Sequence, residues 1–231
     1  MKDDLTNMVV HDLKNPLNGI AMVVQLALRK GGAGMPETQR NYLLQIDRSG
    51  QEMMRLLLNL LEISKIESGK MPAAHEPVTL AAVAEEVAEE YAAVAEQTGR
   101  RLVVTVEHSL PPAVGDRALL KRVLINLVMN ALRHSGSREV RVEARHDSAA
   151  ARLELQVIDH GQGIAWDDQA RVFEKSASVR RGDHGEPSSD TGLGRPFCKL
   201  ATERMGGEIR LNSHPEIGTV FTVTLPSCSV G

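Results

Sequence analysis

Residues 9–17 read Val9-Val10-His11-Asp12-Leu13-Lys14-Asn15-Pro16-Leu17. This stretch places an imidazole, a carboxylate, a lysine and an amide between apolar positions that recur at helical spacing. The apolar positions around it form one stripe, which we expect to be buried: Leu5, Val9, Leu13, Pro16, Ile20, Val23 or Val24, and Ala27. Because His11 lies at the edge of this stripe, its ring is expected to reach solvent.

The chemistry of this stretch centres on His11. The carboxylate of Asp12 follows directly and is placed to accept the proton on Nδ1 of His11. That arrangement leaves a lone pair on Nε2, which is what a histidine nucleophile requires. A histidine beside an aspartate on a helix is more often a solvated pair, so the interpretation depends on the rest of the chain.

Composition limits the classes of function. The chain has 231 residues, enough for one large domain or two small ones, and is 42% hydrophobic and 25% charged. A net charge of −3 and an aromatic content of 3% argue against nucleic-acid binding. No apolar run approaches the roughly 20 residues of a membrane span, so we expect no membrane contact by this segment.

The two cysteines indicate the compartment. Cys198 and Cys228 show neither metal-ligand spacing nor a disulfide framework, which is typical of a reducing environment. We therefore expect a cytoplasmic protein, or the cytoplasmic part of a larger or membrane-anchored sensor. His11 comes so early in the chain that any sensor domain is expected on a missing N-terminal part or on another protein.

The first part of the chain predicts two long amphipathic helices, over residues 4–30 and 37–68, joined by a glycine-rich reversal. Pro16 is expected to bend the first helix. The second helix carries an apolar stripe of its own: Tyr42, Ile46, Met53, Leu57, Leu60 and Ser64. A lone antiparallel hairpin buries both stripes poorly. We favour a homodimer in which two hairpins form a four-helix bundle; the alternative is a hairpin packed on its own C-terminal domain.

Residues 69–77 mark a change in composition that we interpret as a domain boundary and hinge. Beyond it the pattern is mixed, with strands near residues 78–80, 101–107, 138–145, 151–158, 208–212 and 219–225. Helices are expected from residue 80 or so to 97, over 116–133 with Asp116 as N-cap, and over 196–205. We therefore predict an α+β fold in which helices cover one mixed sheet. The polar segment 175–190 predicts a mobile loop.

Three segments of this second part carry chemistry. Asn126 and Asn130 lie one turn apart on one helix face, where an amide oxygen suits Mg²⁺ and the following Arg133 and His134 can meet phosphates. A second segment, Asp159-His160-Gly161-Gln162-Gly163-Ile164, follows a strand; its aspartate can accept a hydrogen bond from an exocyclic amine such as that of adenine. The third, Thr191-Gly192-Leu193-Gly194, leads into a helix N-terminus, which favours phosphate. Each segment alone is weak, because a solvated helix face or a simple turn gives the same pattern.

In this order, and after the helix with His11, the segments resemble the core of a sensor histidine kinase of a two-component system. Residues 11–17 resemble its phosphoacceptor box, and residues 61–70 the end of its second dimerisation helix. Residues 126–135, 159–164, 172–175 and 191–194 resemble its asparagine, first glycine, phenylalanine and second glycine boxes. The resemblance implies a dimerisation and phosphoacceptor domain over residues 1–70 and a catalytic ATP-binding domain of Bergerat type over residues 77–231.

The resemblance also implies roles. The family phosphorylates its histidine from ATP with Mg²⁺ and passes the phosphoryl group to an aspartate of a response regulator. His11 would accept the phosphoryl group with help from Asp12, while Asn15 matches the position that orients water for dephosphorylating the regulator. Asn130 would bind Mg²⁺ with Asn126 beside it, and Asp159 would recognise adenine. The remaining residues expected at the nucleotide are Arg133, His134, Gly161, Gly163, Phe173, Lys175, Thr191, Gly192, Leu193 and Gly194.

The sequence departs from the family pattern near the lid. Asp190 stands where a further glycine is frequent, Arg195-Pro196 replaces a small or aliphatic pair, and residues 176–178 lack a second aromatic. These changes favour weak closure over the nucleotide. Two alternatives therefore stay open. One is a catalytically weak or silent dimeric scaffold that keeps the nucleotide pocket, and the other is an ATPase of the gyrase or chaperone kind.

Overall fold

The computed structural model describes residues 2–31, 34–70, 73–174 and 193–228, without the side chains of residues 2–9, 11 and 52. The chain divides into two compact units, Met1–Met71 and Pro72–Gly231. The predicted loop over residues 175–190 lies outside the described residues. None of the described helices combines the length and the apolar character that crossing a membrane requires.

The first unit is a helical hairpin of α1 (Lys2–Gly31) and α2 (Glu37–Glu67), as the sequence predicts. Pro16 lies inside α1. The Nε2 amide of Gln25 on α1 donates to Oδ2 of Asp47 on α2 at 3.0 Å, which ties the two helices together. The same carboxylate oxygen accepts Nε2 of Gln51 at 2.9 Å.

The buried stripe of the hairpin differs from the predicted one. Among the described side chains of α1, the buried apolar residues are Val10, Leu17 and Val24, spaced by seven residues. The predicted positions Leu13 and Ile20 are 45% and 48% exposed, so the prediction is wrong at these two positions of the single chain, whereas the predicted alternative Val24 is buried. Two helices share only one contact seam, and a second apolar row beside it stays uncovered.

The second helix repeats this finding. Its buried apolar residues are Ile63 and Ile66, whereas the predicted stripe is largely exposed in the single chain. The exposed members are Tyr42, Ile46, Met53 and Leu60. Helical periodicity identifies the apolar rows but does not say which row faces the other helix of the same chain.

The second unit contains the remaining elements, whose bounds are β1 (Glu76–Val78), α3 (Leu80–Gln97), β2 (Arg101–Val106), β3 (Ala113–Gly115), α4 (Arg117–His134), β4 (Ser135–Asp147), β5 (Arg152–Gly161), α5 (Trp166–Gln169), α6 (Gly194–Arg204), β6 (Glu208–His214) and β7 (Gly218–Pro226). The main sheet has the order β2-β4-β5-β7-β6. β2 and β4 are parallel, and the other neighbours are antiparallel. The predicted mixed sheet with helices is therefore confirmed.

Three details correct the prediction. The short strands β1 and β3 form a separate antiparallel pair, so the unit has two sheets rather than one. The sequence did not predict β3 or the single-turn helix α5, because elements of three and four residues are too short to show a periodic pattern. The strand that was expected to end at residue 158 continues to Gly161.

Local signals explain the helix ends. Oδ1 of Asp116 accepts the backbone N–H of Leu119 at 3.0 Å, which confirms the predicted N-cap of α4. Gly206 adopts φ +74 directly after α6, a conformation that ends helices and favours glycine. The buried face of α4 then packs on α6, α3 and β5 to form the core of the unit, with Leu120, Leu124 and Leu127 almost fully buried.

Candidate functional site

The site begins with the alternation of side chains along β5. Leu153, Leu155 and Val157 are buried on one face of the strand, and Asp159 continues that alternation with 4% exposure. Because side chains at every second position share a face, the Asp159 carboxylate lies on the buried, helix-covered side of the sheet. Its Oδ1 accepts the backbone N–H of Gly161 at 2.9 Å.

Buried hydroxyls extend from Asp159 across the sheet. Thr219 on β7 is the register partner of Asp159, and Ser213 on β6 is the register partner of Thr219. The hydroxyls of Ser213 and Thr219 lie 3.0 Å apart, and both side chains are buried. The sequence reasoning missed both residues, although each lies in a predicted strand or within two residues of one.

The turn after β5 is fixed by side chains from outside it. The hydroxyl of Ser213 accepts the backbone N–H of Ile164 at 2.9 Å. Nε2 of Gln169 donates to the carbonyl oxygens of Ile164 and Ser213 at 2.8 and 2.9 Å. The turn is therefore bound to β6 and α5 by a network that positions it independently of any ligand.

Two glycines of this turn are required by close approach of the backbone. A Cβ at Gly161 would overlap the carbonyl oxygen of His134. Gly163 has φ +68, and a Cβ there would overlap the carbonyl oxygen of His214. The sequence suggested that these glycines make room for a ligand; the contacts show that they also make room for the protein's own chain.

The C-terminal end of α4 forms the opposite wall. Arg133 and His134 end the helix, and the chain passes directly into β4 through Ser135 and Gly136. These residues and the β5 turn enclose a cleft of about 280 Å³. Its lining consists of Arg133, His134, Ser135, Gly136, Asp159, Gln162, Gly163 and Thr219. The structure thus brings together four predicted residues, namely Arg133, His134, Asp159 and Gly163, and adds four that were not predicted.

The two asparagines of α4 lie outside this lining. Asn126 is 6% exposed, and its Nδ2 donates to the carbonyl oxygen of Arg122 at 2.9 Å. Asn130 is half-buried, one turn before Arg133. The guanidinium of Arg122 lies 5.3 Å from the ring centre of Phe197 on α6, and burial lowers the pKa of Arg122. This part of α4 is therefore packed against α6.

The helices α4 and α6 pack antiparallel, and this packing determines where the second glycine segment lies. Sγ of Cys198 on α6 donates to the carbonyl oxygen of Val123 at 3.7 Å, and Met205 at the end of α6 lies beside Gly115 just before α4. The start of α6, with Leu193 as N-cap and Gly194 in the first turn, therefore points toward the Asn126 region of α4. The predicted residues Lys175, Thr191 and Gly192 lie outside the described residues.

Phe173 has a packing partner of its own. Its ring makes an edge-to-face contact with Phe221 of β7, with centroids 6.2 Å apart and planes at 76°. It does not line the cleft. The contact anchors the segment after α5 to the core of the sheet.

The hairpin carries the other predicted residues. His11 follows the buried Val10 on α1, and its side chain lies outside the described part of the structure. Asp12 and Asn15 are exposed. The same hairpin buries two polar residues that the sequence reasoning missed, Asn59 at 0% and Glu62 at 8% exposure.

The hydrogen bond between Gln25 and Asp47 serves as a reference for the height of these polar residues along the axis of the hairpin. Both helices rise by the same distance per residue and run in opposite directions. Counting backwards from Gln25 on α1 and forwards from Asp47 on α2 by the same number of residues therefore reaches the same height. Counting in this way brings Asn59 level with Leu13, next to the turn that carries His11. Among the described residues, no group of three or more His, Cys, Asp or Glu side chains could hold a metal ion.

Comparison with known proteins agrees with this division into two parts. Residues 1–69 match the family model of the His Kinase A (phospho-acceptor) domain. Residues 115–228 match the model of the Histidine kinase-, DNA gyrase B-, and HSP90-like ATPase family.

Curated relatives include a signal transduction kinase. The chain is 30% identical over 229 residues to the signal transduction histidine-protein kinase BarA of Escherichia coli, covering 96% of this chain and 24% of that protein. It is 33% identical over 221 residues to the non-motile and phage-resistance protein of Caulobacter vibrioides, covering 94% and 26%. The chain therefore spans about a quarter of the length of these relatives.

Solved structures share the fold. A crystal structure of full-length ShkA in complex with AMPPNP superposes with a TM-score of 0.74 at 23% identity, over 99% of this chain and 46% of that one. The histidine kinase AdeS of Acinetobacter baumannii superposes with a TM-score of 0.63 at 21% identity, over 94% and 98%. The fold of this chain is that of a histidine kinase catalytic core.

Replacement of Gly161 by alanine tests the close approach between β5 and α4. The new methyl group would overlap the carbonyl oxygen of His134, so the two walls of the cleft must separate. We expect the free energy of unfolding to fall by about 2–3 kcal/mol, measured by urea denaturation. Gly50→Ala is the control, because a Cβ at that helical position meets no atom within 4 Å. An equal, small effect of both substitutions would contradict the packing argument.

Proposed function

Because the chain belongs to the sensor histidine kinase family, with its phosphoacceptor domain over residues 1–69 and its ATPase-family domain over residues 115–228, we propose that it is an ATP-dependent protein-histidine kinase. In this proposal it phosphorylates His11 and passes the phosphoryl group to an aspartate of a response regulator. The observation that carries the proposal is the cleft, in which the cationic end of α4 faces the buried carboxylate at the end of β5.

The residues of the cleft fit a nucleotide. The buried Asp159 carboxylate is an acceptor that follows the apolar positions Leu155 and Val157 on the same face of β5, which suits the exocyclic amine of adenine. Arg133 and His134 supply cationic or donor groups for phosphates. The backbone of Gly163 and the hydroxyl of Thr219 complete a small polar wall of the kind that orients a ligand. Leu193 and Gly194 would close the phosphate side at the start of α6.

Mg²⁺ is the metal that this donor set fits. When bound, it would neutralise charge on the transferred phosphoryl group. Asn130 offers an amide oxygen one turn before Arg133, and Asn126 lies beside it on the same helix. A hydrated Mg²⁺ needs few protein ligands because phosphates and water supply the rest. The absence of an acidic cluster among the described residues is compatible with such a site.

His11 is the proposed nucleophile. The lone pair of its Nε2 forms a bond to the γ-phosphorus, while the bond from that phosphorus to the bridging oxygen breaks and ADP takes the electron pair. The Nδ1–H carries the positive charge that develops on the ring. Asp12, the next residue on α1, would accept a hydrogen bond from that N–H and stabilise the charge.

A homodimer accounts for the exposed apolar rows of the hairpin. Leu13 and Ile20 on α1 and Ile46 and Leu60 on α2 are more than 40% exposed in the single chain. A second copy would cover these rows by forming a four-helix bundle. Burial of apolar area at about 25 cal/mol per Å² gives such an interface its stability.

Substitution of His11 by glutamine tests the phosphoacceptor. We expect no acid-labile phosphate on the protein after incubation with ATP and Mg²⁺, and unchanged ATP affinity, because His11 belongs to the hairpin rather than the cleft. His108→Gln, at an exposed position in the second unit, is the control.

The same assay separates the alternatives. Hydrolysis of ATP without phosphate on the wild-type protein would indicate an ATPase of the gyrase or chaperone kind. Nucleotide binding without either reaction would indicate a silent scaffold. Normal incorporation into the glutamine variant would remove His11 from its role.

Asn130→Ala tests the metal ligand. Without the amide oxygen, Mg²⁺ would be held mainly by phosphates, so the gain in nucleotide affinity on adding Mg²⁺ should largely disappear. Titration of a fluorescent ATP analogue with and without Mg²⁺ measures this gain. Asn212→Ala on the exposed edge strand β6 is the control. An unchanged Mg²⁺ dependence would assign the metal to another residue.

Asn15→Ala tests the hydrolysis of the phosphorylated regulator. The exposed amide lies one turn after His11 and is placed to orient water toward a docked phosphoaspartate. We expect autophosphorylation to persist and dephosphorylation of the cognate regulator to slow by about tenfold or more. Asn18→Ala, exposed on the next turn, is the control. Equal dephosphorylation rates in all three proteins would rule out the role.

A further inference from the structure

We propose that Arg100, a residue outside every segment discussed above, positions the wall of the cleft formed by Ser135 and Gly136. The inference rests on the proposed function, since it assumes that this cleft holds the nucleotide. Arg100 lies between α3 and β2 and is half-buried. It touches none of the proposed ligand groups, so it acts through the backbone of the wall.

The guanidinium of Arg100 joins two parts of the unit. Its Nε donates to the carbonyl oxygen of Ser135 at 3.1 Å, and Nη2 donates to the same oxygen. Its Nη1 donates to the carbonyl oxygen of Thr98 at 3.0 Å. Thr98 is the C-cap of α3, so one planar side chain connects the end of that helix to the point where α4 becomes β4.

The wall needs such a support because its pairing with β5 is interrupted. Ser135 pairs with Gly161, but the next register pair is Val140 with Asp159, and the ladder is irregular between them. Side chains within this irregular stretch bond locally, such as Oγ of Ser137, which donates to the carbonyl oxygen of Glu139 at 2.7 Å. The cation therefore holds the stretch at its first residue, from the side away from β5.

The held carbonyl lies directly beside the cleft. Ser135 is 2% exposed and, with Gly136, lines the cleft next to Arg133 and His134. A buried carbonyl that loses a charged donor is costly unless the chain moves to find another. Such a movement would displace the residues proposed to meet the phosphates, while leaving His11 on the other unit unaffected.

The neighbouring arginine provides a matched control. Arg101 makes an ion pair with Glu139, with Nη2 and Oε2 2.7 Å apart, but its side chain is 74% exposed. An exposed pair of this kind contributes little to stability. Replacing either arginine by glutamine removes one charge from adjacent positions, so a difference between the two variants reports the buried contact rather than net charge.

The test compares Arg100→Gln and Arg101→Gln in the full chain. We expect Arg100→Gln to raise both the Kd of a fluorescent ATP analogue and the KM for ATP about fivefold to tenfold, with kcat at saturating ATP within about twofold of wild type. Arg101→Gln should leave all three values within about twofold. Thermal unfolding of each protein is followed in parallel, and binding is measured well below the transition.

A merely structural role predicts a different result. It would lower the Tm or the active fraction, and hence kcat, without raising Kd or KM. That result, equal nucleotide affinities in both variants, or an equal loss in both would overturn the proposal. Arg100→Lys keeps the charge but replaces the planar fork by a single ammonium. Should the glutamine variant fail to fold, an unchanged Kd in the lysine variant would overturn the proposal, and a raised Kd would support it.

The wild-type protein distinguishes this inference from the proposed function. If the wild type does not bind the ATP analogue, the nucleotide site itself is wrong. If the wild type binds it and Arg100→Gln binds equally well, the cleft stands and only the role of Arg100 fails.

Discussion

A carboxylate buried on the helix-facing side of a β-sheet is the constraint on which the second unit depends. Asp159 occupies the position that the alternation of β5 reserves for a core residue, after Leu155 and Val157. Burying a charge in such a place is unfavourable unless donors surround it. The N–H of Gly161 is one such donor. The end of the strand must therefore turn tightly under its own carboxylate, and the turn must be held by Ser213 and Gln169. In the proposed kinase, the same carboxylate recognises the base.

The same turn fixes the distance between the two walls of the cleft. Gly161 lies so close to the carbonyl of His134 that no side chain fits between them. The cationic end of α4 and the carboxylate end of β5 are therefore spaced by backbone contact rather than by flexible side chains. Since α4 also supplies much of the core through Leu120, Leu124 and Leu127, the geometry of the cleft is inseparable from the packing of the fold. A site built on packed elements is held more accurately than one built on loops alone.

The sequence predicted most elements because their signals are local. The N-cap Asp116 and the alternation of β5 can be recognised within a few residues. It predicted Asp159 as a ligand residue but ended the strand at residue 158, three residues before its actual end at Gly161, and so missed that the carboxylate belongs to the buried face. Had the alternation been followed for one more step, an acid at a core position would have been evident. Thr219, Ser135 and Arg100 carried no such signal, because their importance comes from register and contacts between segments distant in sequence.

In the hairpin, the sequence pattern shows more apolar positions than the contact between the two helices of one chain can bury. Each helix has one apolar row against the other helix, as at Val10 and Leu17, and a second row that the single chain leaves exposed, as at Leu13 and Ile20. The inner seam is itself interrupted by the polar Asn59, level with Leu13 and next to the turn that carries His11. A polar residue at such a position lowers stability but specifies register. The outer rows would then supply the missing apolar contact, so we expect the hairpin to be more stable in the proposed homodimer than by itself. In the proposed homodimer, the turn that carries His11 would thus be aligned by one polar layer and stabilised by a second copy of the chain.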